Sequence, residues 1–211
     1  MTDFKEAFDL DEVITNIVDN VKEDMKSFDD LVNLDGSVNR EIYIYDISSG
    51  LGATIDGYIR FWNSYDERHN IPVEEREPIK IYIDSCGGCL DDTFTIVDAI
   101  KMSKTPVIGI TIGNAYSGGF FIFISCPTRY AYPHASFLFH EGATQTGGTA
   151  GQFANYAAFY KKQLDKLKDI VLENTNITEE EYQEIKKDDI WYDAKEGAEK
   201  GFVDKILEEL I

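Results

Sequence analysis

The sequence predicts an α/β domain built on a parallel sheet, and two observations carry that expectation. From residue 41 to residue 139, β-branched apolar runs alternate with stretches of helical periodicity, the pattern of strands joined by helical crossovers. The third run, Val107 to Ile112, breaks at Gly113 and Asn114, and apolar side chains resume at helical density from Phe120 to Ile124. Ser117-Gly118-Gly119 stands at the break. A serine at a strand-to-helix turn is held exposed at the top of a sheet.

Taken in order, the chain opens with Leu10, Val13, Ile14, Ile17, Val18, Val21, Met25, Phe28, Leu31 and Val32 at helical spacing. This predicts an amphipathic helix with an acidic opposite face. Asp9 and Asp11 are its candidate caps, and Leu34-Asp-Gly-Ser37 ends it. Residues 1–37 are therefore expected to be a helical extension, and residues 38–211 the main domain, a size that suits one core. Glu41 to Ile47 reads as a strand and Ser48-Ser-Gly50 as a turn. Thr54 to about Glu67 reads as a helix with Ile55, Tyr58, Ile59 and Trp62 on one face. Two prolines and a charge cluster make residues 70–78 a loop. Ile79 to Ile83 is a second strand. Asp84-Ser-Cys-Gly-Gly88 turns tightly into a helix from about Leu90 to Met102, and Thr105-Pro106 leads into the third strand.

Beyond the central turn, Thr128 to Tyr132 and Ser136 to Phe139 are two short strands hinged at Pro133. Residues 142–151 are rich in Gly and Thr. A long helix is expected from about Gln152 to Glu173, with Phe153, Tyr156, Ala157, Tyr160, Leu164, Leu167 and Val171 on one side. That is more apolar surface than one face of a small sheet covers. Thr178 and Glu181 form a capping box for another helix. Trp191-Tyr192 is extended, Ala194 to Lys200 helical, and Phe202 to Leu207 closes the domain.

The formal net charge of −19 repels phosphate backbones, so nucleic acid is not an expected partner. No apolar run approaches the length of a membrane span, and no basic-then-apolar segment stands at the start, so a cytoplasmic location and no membrane partner are expected. Three cysteines, Cys86, Cys89 and Cys126, do not make a disulfide framework. Cys86-Gly-Gly-Cys89 matches C-x-x-C, a redox or half-zinc-site pattern, but no second pair completes a zinc site; incidental cysteines are the favoured reading and redox chemistry the alternative. No metal and no cofactor are expected.

Ser117 admits two readings. It is a helix cap, or it is a nucleophile whose oxyanion is received by the unpaired first amides of the helix. Position 115 is Ala, so the turn is not G-x-S-x-G. A nucleophilic serine needs a base. His69 lies in a polar loop and His134 in a turn after Pro133. His140 ends the Phe137-Leu-Phe139 run, where a strand delivers it to the edge of the core, and it is the favoured base. With 39 acidic residues, composition does not choose the third member.

Four segments in order resemble the ClpP family of serine peptidases, over roughly residues 38 to 208. Ile83-Asp-Ser-Cys-Gly-Gly88 resembles the family's I-N-S-P-G-G turn, and Ile112-Gly-Asn-Ala-Tyr-Ser-Gly-Gly119 its I-G-x-A-x-S-M-G nucleophile motif. Tyr132-Pro-His134 and Leu138-Phe-His140 resemble its P-N/H-S and M-I-H segments. Asp189-Ile-Trp-Tyr-Asp-Ala194 and Glu196 to Asp204 resemble its D-x-F-x-S-A and E-A-x-x-Y-G-L-I/V-D ending. The resemblance implies the ClpP/crotonase fold, with repeated β-β-α units and a protruding long-helix handle. It implies Ser117 as nucleophile, His140 as base and Asp189 as the orienting carboxylate, with the Gly88 and Gly118 amides as the oxyanion hole. It also implies polypeptide substrates, a homo-oligomer of two stacked seven-membered rings and an AAA+ unfoldase as partner. Tyr82 matches one of the family's aromatic docking positions. A processing protease of the viral or phage type, working without an unfoldase, and a catalytically silent ring subunit share the same fold. The chain departs from the family at Cys86 (Pro), Gly118 (Met) and Glu141-Gly142 (Gln-Pro), and its next Gly-Gly pair comes late, at Gly147-Gly148.

Overall fold

The computed structural model describes residues 39–211. The helix expected over residues 9–34, and with it the division at residue 37, lies outside the described residues.

Strands β1 (Glu41–Ile44), β2 (Ile79–Ser85), β3 (Val107–Tyr116), β4 (Thr128–Ala131) and β7 (Lys205–Ile206) form a parallel ladder in that order. Crossover helices α1 (Leu51–Arg68) and α2 (Leu90–Met102) join β1 to β2 and β2 to β3, as a parallel sheet requires. Their apolar stripes, including Ile55, Ile59, Trp62, Ile96, Val97 and Ile100, pack on one face of the sheet in the main core. The other face carries a smaller cluster of Tyr82, Ile110 and Leu207, with Tyr43 stacked on Tyr82 at a centroid distance of 4.9 Å. Burial pushes the Tyr82 phenol up to about 12.

The third strand differs from expectation. It does not stop at Ile112 but runs through Gly113 and Asn114 to Tyr116. Its first half pairs with β4 (Ile108 to Thr111), and its second half pairs with β5 (Ser136–Phe139), from Asn114 to Tyr116. The residues that look like a break are where the strand changes partners. Asn114 is held there by its amide, which donates to the Asp84 carboxylate at 3.0 Å. This fork carries β5 away from β4 and places its carboxyl end beside that of β3.

Helix α3 (Gly118–Ser125) is buried along its whole length. Phe120 and Phe121 meet Phe139 edge-on, at centroid distances of 6.2 and 6.1 Å. The long helix α4 (Ala150–Asn174) starts at a Thr149–Gln152 capping box and buries only Gln163, Leu167, Ile170 and Val171. The expected apolar side is therefore half used. Phe153 and Phe159 stay 57% and 54% exposed, and the first half of α4 protrudes as a handle. Among the described residues, 140–149 pair with no strand.

Helix α5 (Glu179–Ile185) has half of its expected capping box: the Thr178 hydroxyl accepts from the Glu181 amide, while the Glu181 carboxylate takes Lys200. A complete box, missed in the sequence, starts α6 (Ala194–Glu199), where Asp193 and Glu196 satisfy each other's amides. Strand β6 (Ile190–Asp193) runs antiparallel to β5. Far from these, Arg40 and Asp66 form a buried pair at 2.6 Å, with the Thr105 hydroxyl donating to the same carboxylate. Burial alone would raise the Asp66 carboxyl, but these bonds outweigh it and hold it below its usual range.

Candidate active site

Chemistry in a parallel sheet collects at the carboxyl ends of its strands, and here β2, β3 and β5 end together. A cleft of about 160 Å³ lies between them and α4. Its lining includes Gly88, Ser117, Gly118, His140, Glu141 and Tyr160, over an apolar floor of Leu90, Phe121 and Leu167.

Ser117 follows β3 with φ 51° and ψ −119°. A non-glycine residue there costs about 1–3 kcal/mol, which the surrounding structure must offset. Neighbouring bonds do so. The Ser117 amide donates to the Leu138 carbonyl at 3.0 Å, and its own carbonyl receives the amides of Phe120 and Phe121 at 3.0 and 3.3 Å. Its side chain makes no capping bond, so the hydroxyl is not spent on starting the helix.

The turn after β2 is packed against this elbow. The buried Ser85 hydroxyl accepts the Gly87 amide at 3.1 Å. A Cβ on Gly87 would lie 2.7 Å from the Ser117 Cβ, and one on Gly88, where φ is +151°, would overlap the Ile47 carbonyl oxygen. Only glycine lets the two backbones approach this closely. Ile47 donates to the Gly87 carbonyl at 3.2 Å and accepts from the Cys89 amide at 2.7 Å. The intervening Gly88 amide takes no part in this pairing, and Gly88 lines the cleft. Gly118 is the first residue of α3, whose leading amides have no partner within the helix. A Cβ there would sit 2.5 Å from the Thr93 hydroxyl. Gly88 and Gly118, whose amides have no hydrogen-bond partner among the described residues, thus line the cleft together with Ser117.

His140 is the residue after β5, and the antiparallel register fixes what it faces. Phe139 pairs with Ile190, so one step further sets His140 against Asp189. Nδ1 of His140 lies 3.2 Å from Oδ1 of Asp189. The His140 side chain is 29% exposed and that of Asp189 61%. Ser117 and His140 line the same cleft, but no hydrogen bond joins them. His69 and His134 are exposed and away from the cleft, with Nδ1 of His69 on the Tyr65 carbonyl at 2.8 Å.

The two turn cysteines are free thiols in different surroundings. Cys86 is exposed. Cys89 is half-buried, and its thiol bonds to Asp92, which together with the amides of Gly52 and Gly50 holds that carboxyl below its usual range. Cys126 is buried, and burial pushes its thiol up to about 12. Among the described residues no group of three His, Cys, Asp or Glu side chains gathers as metal ligands, and no helix is long and apolar enough to cross a membrane.

The sequence profile of the Clp protease family matches residues 72–210, about two-thirds of the chain and all of the cleft-forming turns. The chain belongs to the Clp protease family. It is 32% identical over 132 residues to the ATP-dependent Clp protease proteolytic subunit 2 of Treponema denticola, covering 62% of this chain and 66% of that one. Against the proteolytic subunit 1 of Corynebacterium jeikeium it is 31% identical over 132 residues, or 61% of this chain and 70% of the other. With the proteolytic subunit of Lactococcus lactis subsp. cremoris it shares 28% over 166 residues, 77% of this chain and 79% of that relative. The chain thus spans about two-thirds of the length of the first of these Clp relatives. The family's α/β fold agrees with the mostly parallel sheet and the helices described above.

Proposed function

We propose that this Clp-family chain is a serine endopeptidase acting on unfolded polypeptides, with Ser117 as nucleophile, His140 as general base and Asp189 as the group that orients it. The observation that carries this is the convergence, at one end of the sheet, of an uncapped serine on a strained elbow, two unengaged amides and a carboxylate-bonded histidine. The names of the relatives, proteolytic subunits of ATP-dependent proteases, support the same reading.

The chemistry follows from the bonds. Asp189 accepts from Nδ1–H of His140, which leaves Nε2 free to accept a proton. As Oγ of Ser117 attacks the scissile carbonyl carbon, its proton passes to Nε2. The carbonyl oxygen becomes an oxyanion and receives the amides of Gly88 and Gly118, whose donation matters most where charge develops. Collapse breaks the C–N bond, the amine leaves with the proton from His140, and water, activated by the same base, frees Ser117. Ser117 and His140 must close on each other for this, a tightening expected on substrate binding.

Assembly belongs to the same proposal. The exposed half of α4 and the unpaired residues 140–149 flank the cleft, and covering them with further copies of the chain would enclose it in a chamber. An ATP-driven unfoldase would then supply the extended chain that a narrow cleft admits. The test is hydrolysis of a fluorogenic peptide and of an unfolded protein by the purified chain and by Ser117→Ala. Cleavage by the parent and none by the variant is expected. Equal cleavage by both would remove the serine mechanism.

A further inference from the structure

We infer that Tyr182 is a positioning residue for His140, and that it acts through Glu141. This rests on the reading of His140 as the general base. Tyr182 sits on α5, behind the cleft lining rather than in it, and is 1% exposed. It touches the chain on both sides of the histidine. Its ring packs edge-on against Phe139 at a centroid distance of 5.5 Å. Its hydroxyl donates to Oε1 of Glu141 at 3.1 Å. A side chain's direction is set by the peptide planes that flank its own residue. Tyr182 holds the residue before His140 by packing and the residue after it by a hydrogen bond.

The need for such a clamp is local. His140 is the first residue beyond the ladder of β5, and the nine residues after it, 141–149, form no regular structure. Nothing in the sheet fixes the peptide that leaves His140. Two tyrosines of α4 add to the hold: the Tyr160 hydroxyl donates to the Glu141 carbonyl at 3.4 Å, and Tyr156 bonds the Thr144 hydroxyl at 2.5 Å. Tyr182 differs from them in being buried. Burial, with the Glu141 carboxylate next in effect, raises its phenol well above the ordinary value, so it remains a donor throughout the working range. A buried hydroxyl without its partner loses water and gains nothing, so the Tyr182–Glu141 bond favours one position of residue 141. The departure Glu141 for the family's Gln keeps an acceptor oxygen at this point.

The test is Tyr182→Phe, which keeps the ring packing and removes only the donor. The expected result is a fall in kcat of about ten- to hundredfold, the cost of a small misplacement of a reacting group, with KM within about twofold. Glu141→Gln, which retains an acceptor, should hold kcat near the parent, while Glu141→Ala should reproduce the loss. Unchanged kcat in folded Tyr182→Phe overturns the inference, as does equal loss in Glu141→Gln and Glu141→Ala. A crystal structure of Tyr182→Phe reads the clamp apart from activity. The His140–Asp189 contact should be lost there, and its retention would count against the inference even if the parent proved inactive. Failure of the serine-peptidase reading itself would show separately, as a parent protein that does not react at Ser117 with a fluorophosphonate.

Discussion

The two halves of the candidate site are built in opposite ways. The nucleophile half, from Ser85 to Gly88 and from Tyr116 to Gly119, is held by backbone. Its bonds join main-chain atoms or a buried hydroxyl, and Gly87 and Gly88 leave no room for a methyl group. The base half, from His140 to Thr144 with Asp189, is held by side chains: one carboxylate on the imidazole and three phenols on the exit loop. Backbone packing of the first kind leaves few alternatives, because interiors do not deform continuously. Side-chain tethers of the second kind, the buried Tyr182 apart, can be exchanged for water. The first half should therefore be formed in any folded copy of the chain, whereas the second should depend on its surroundings.

Substitutions sharpen the contrast. Ser117→Ala should remove peptide hydrolysis, a loss on the order of 10⁴-fold or more, while thermal unfolding and assembly by light scattering stay as in the parent. The hydroxyl makes no hydrogen bond among the described residues, so the fold should keep its contacts. Gly88→Ala should lower kcat by about 10²–10³-fold, the range for loss of an oxyanion donor, because the added methyl forces the turn away from Ile47. Asp189→Asn should cost about 10²-fold, short of the roughly 10⁴ that a buried orienting carboxylate supplies. Asp189 is more than half exposed, and water replaces part of its role. A larger loss for Asp189→Asn than for Gly88→Ala would break the comparison.

Assembly is where the halves should part. Copies of a chain with net charge −19 repel one another, and salt screens that repulsion. Raising salt at fixed protein concentration should increase both oligomer size and specific activity. Full specific activity in a stable monomer at every dilution would show that the base half needs no neighbour. The smallest effect is expected from Cys86→Ser with Cys89→Ser: activity within about twofold of the parent under reducing and oxidising conditions alike, since the glycines between them shape the turn.

The same division explains what could be read from the sequence. Backbone requirements are spelled by residue type, so Ser117 and the Gly-Gly turn stood out as local patterns, and β2, α2 and β5 fall where their apolar runs lie. Partner choice is not spelled locally. Gly113-Asn114 looked like the end of a strand because nothing nearby shows that β3 pairs first with β4 and then with β5. Asp189 could not be picked from 39 acidic residues without the family motif, since its place depends on the antiparallel register of β6 against β5. The periodicity of α4 was visible, but not that its first half projects beyond the sheet. Tyr182 and Arg40 gave no signal, as each matters through a contact at least 26 residues away.

One measurement bears most directly on the central claim, that Ser117 is a nucleophile activated by His140. The assembled parent protein, treated with a fluorophosphonate and mapped by peptide mass spectrometry, should carry the label on Ser117. His140→Ala should slow that labelling by orders of magnitude, and His134→Ala should leave it unchanged. No labelling of Ser117 in an assembled, folded protein, or labelling that survives His140→Ala at the parental rate, would contradict the account.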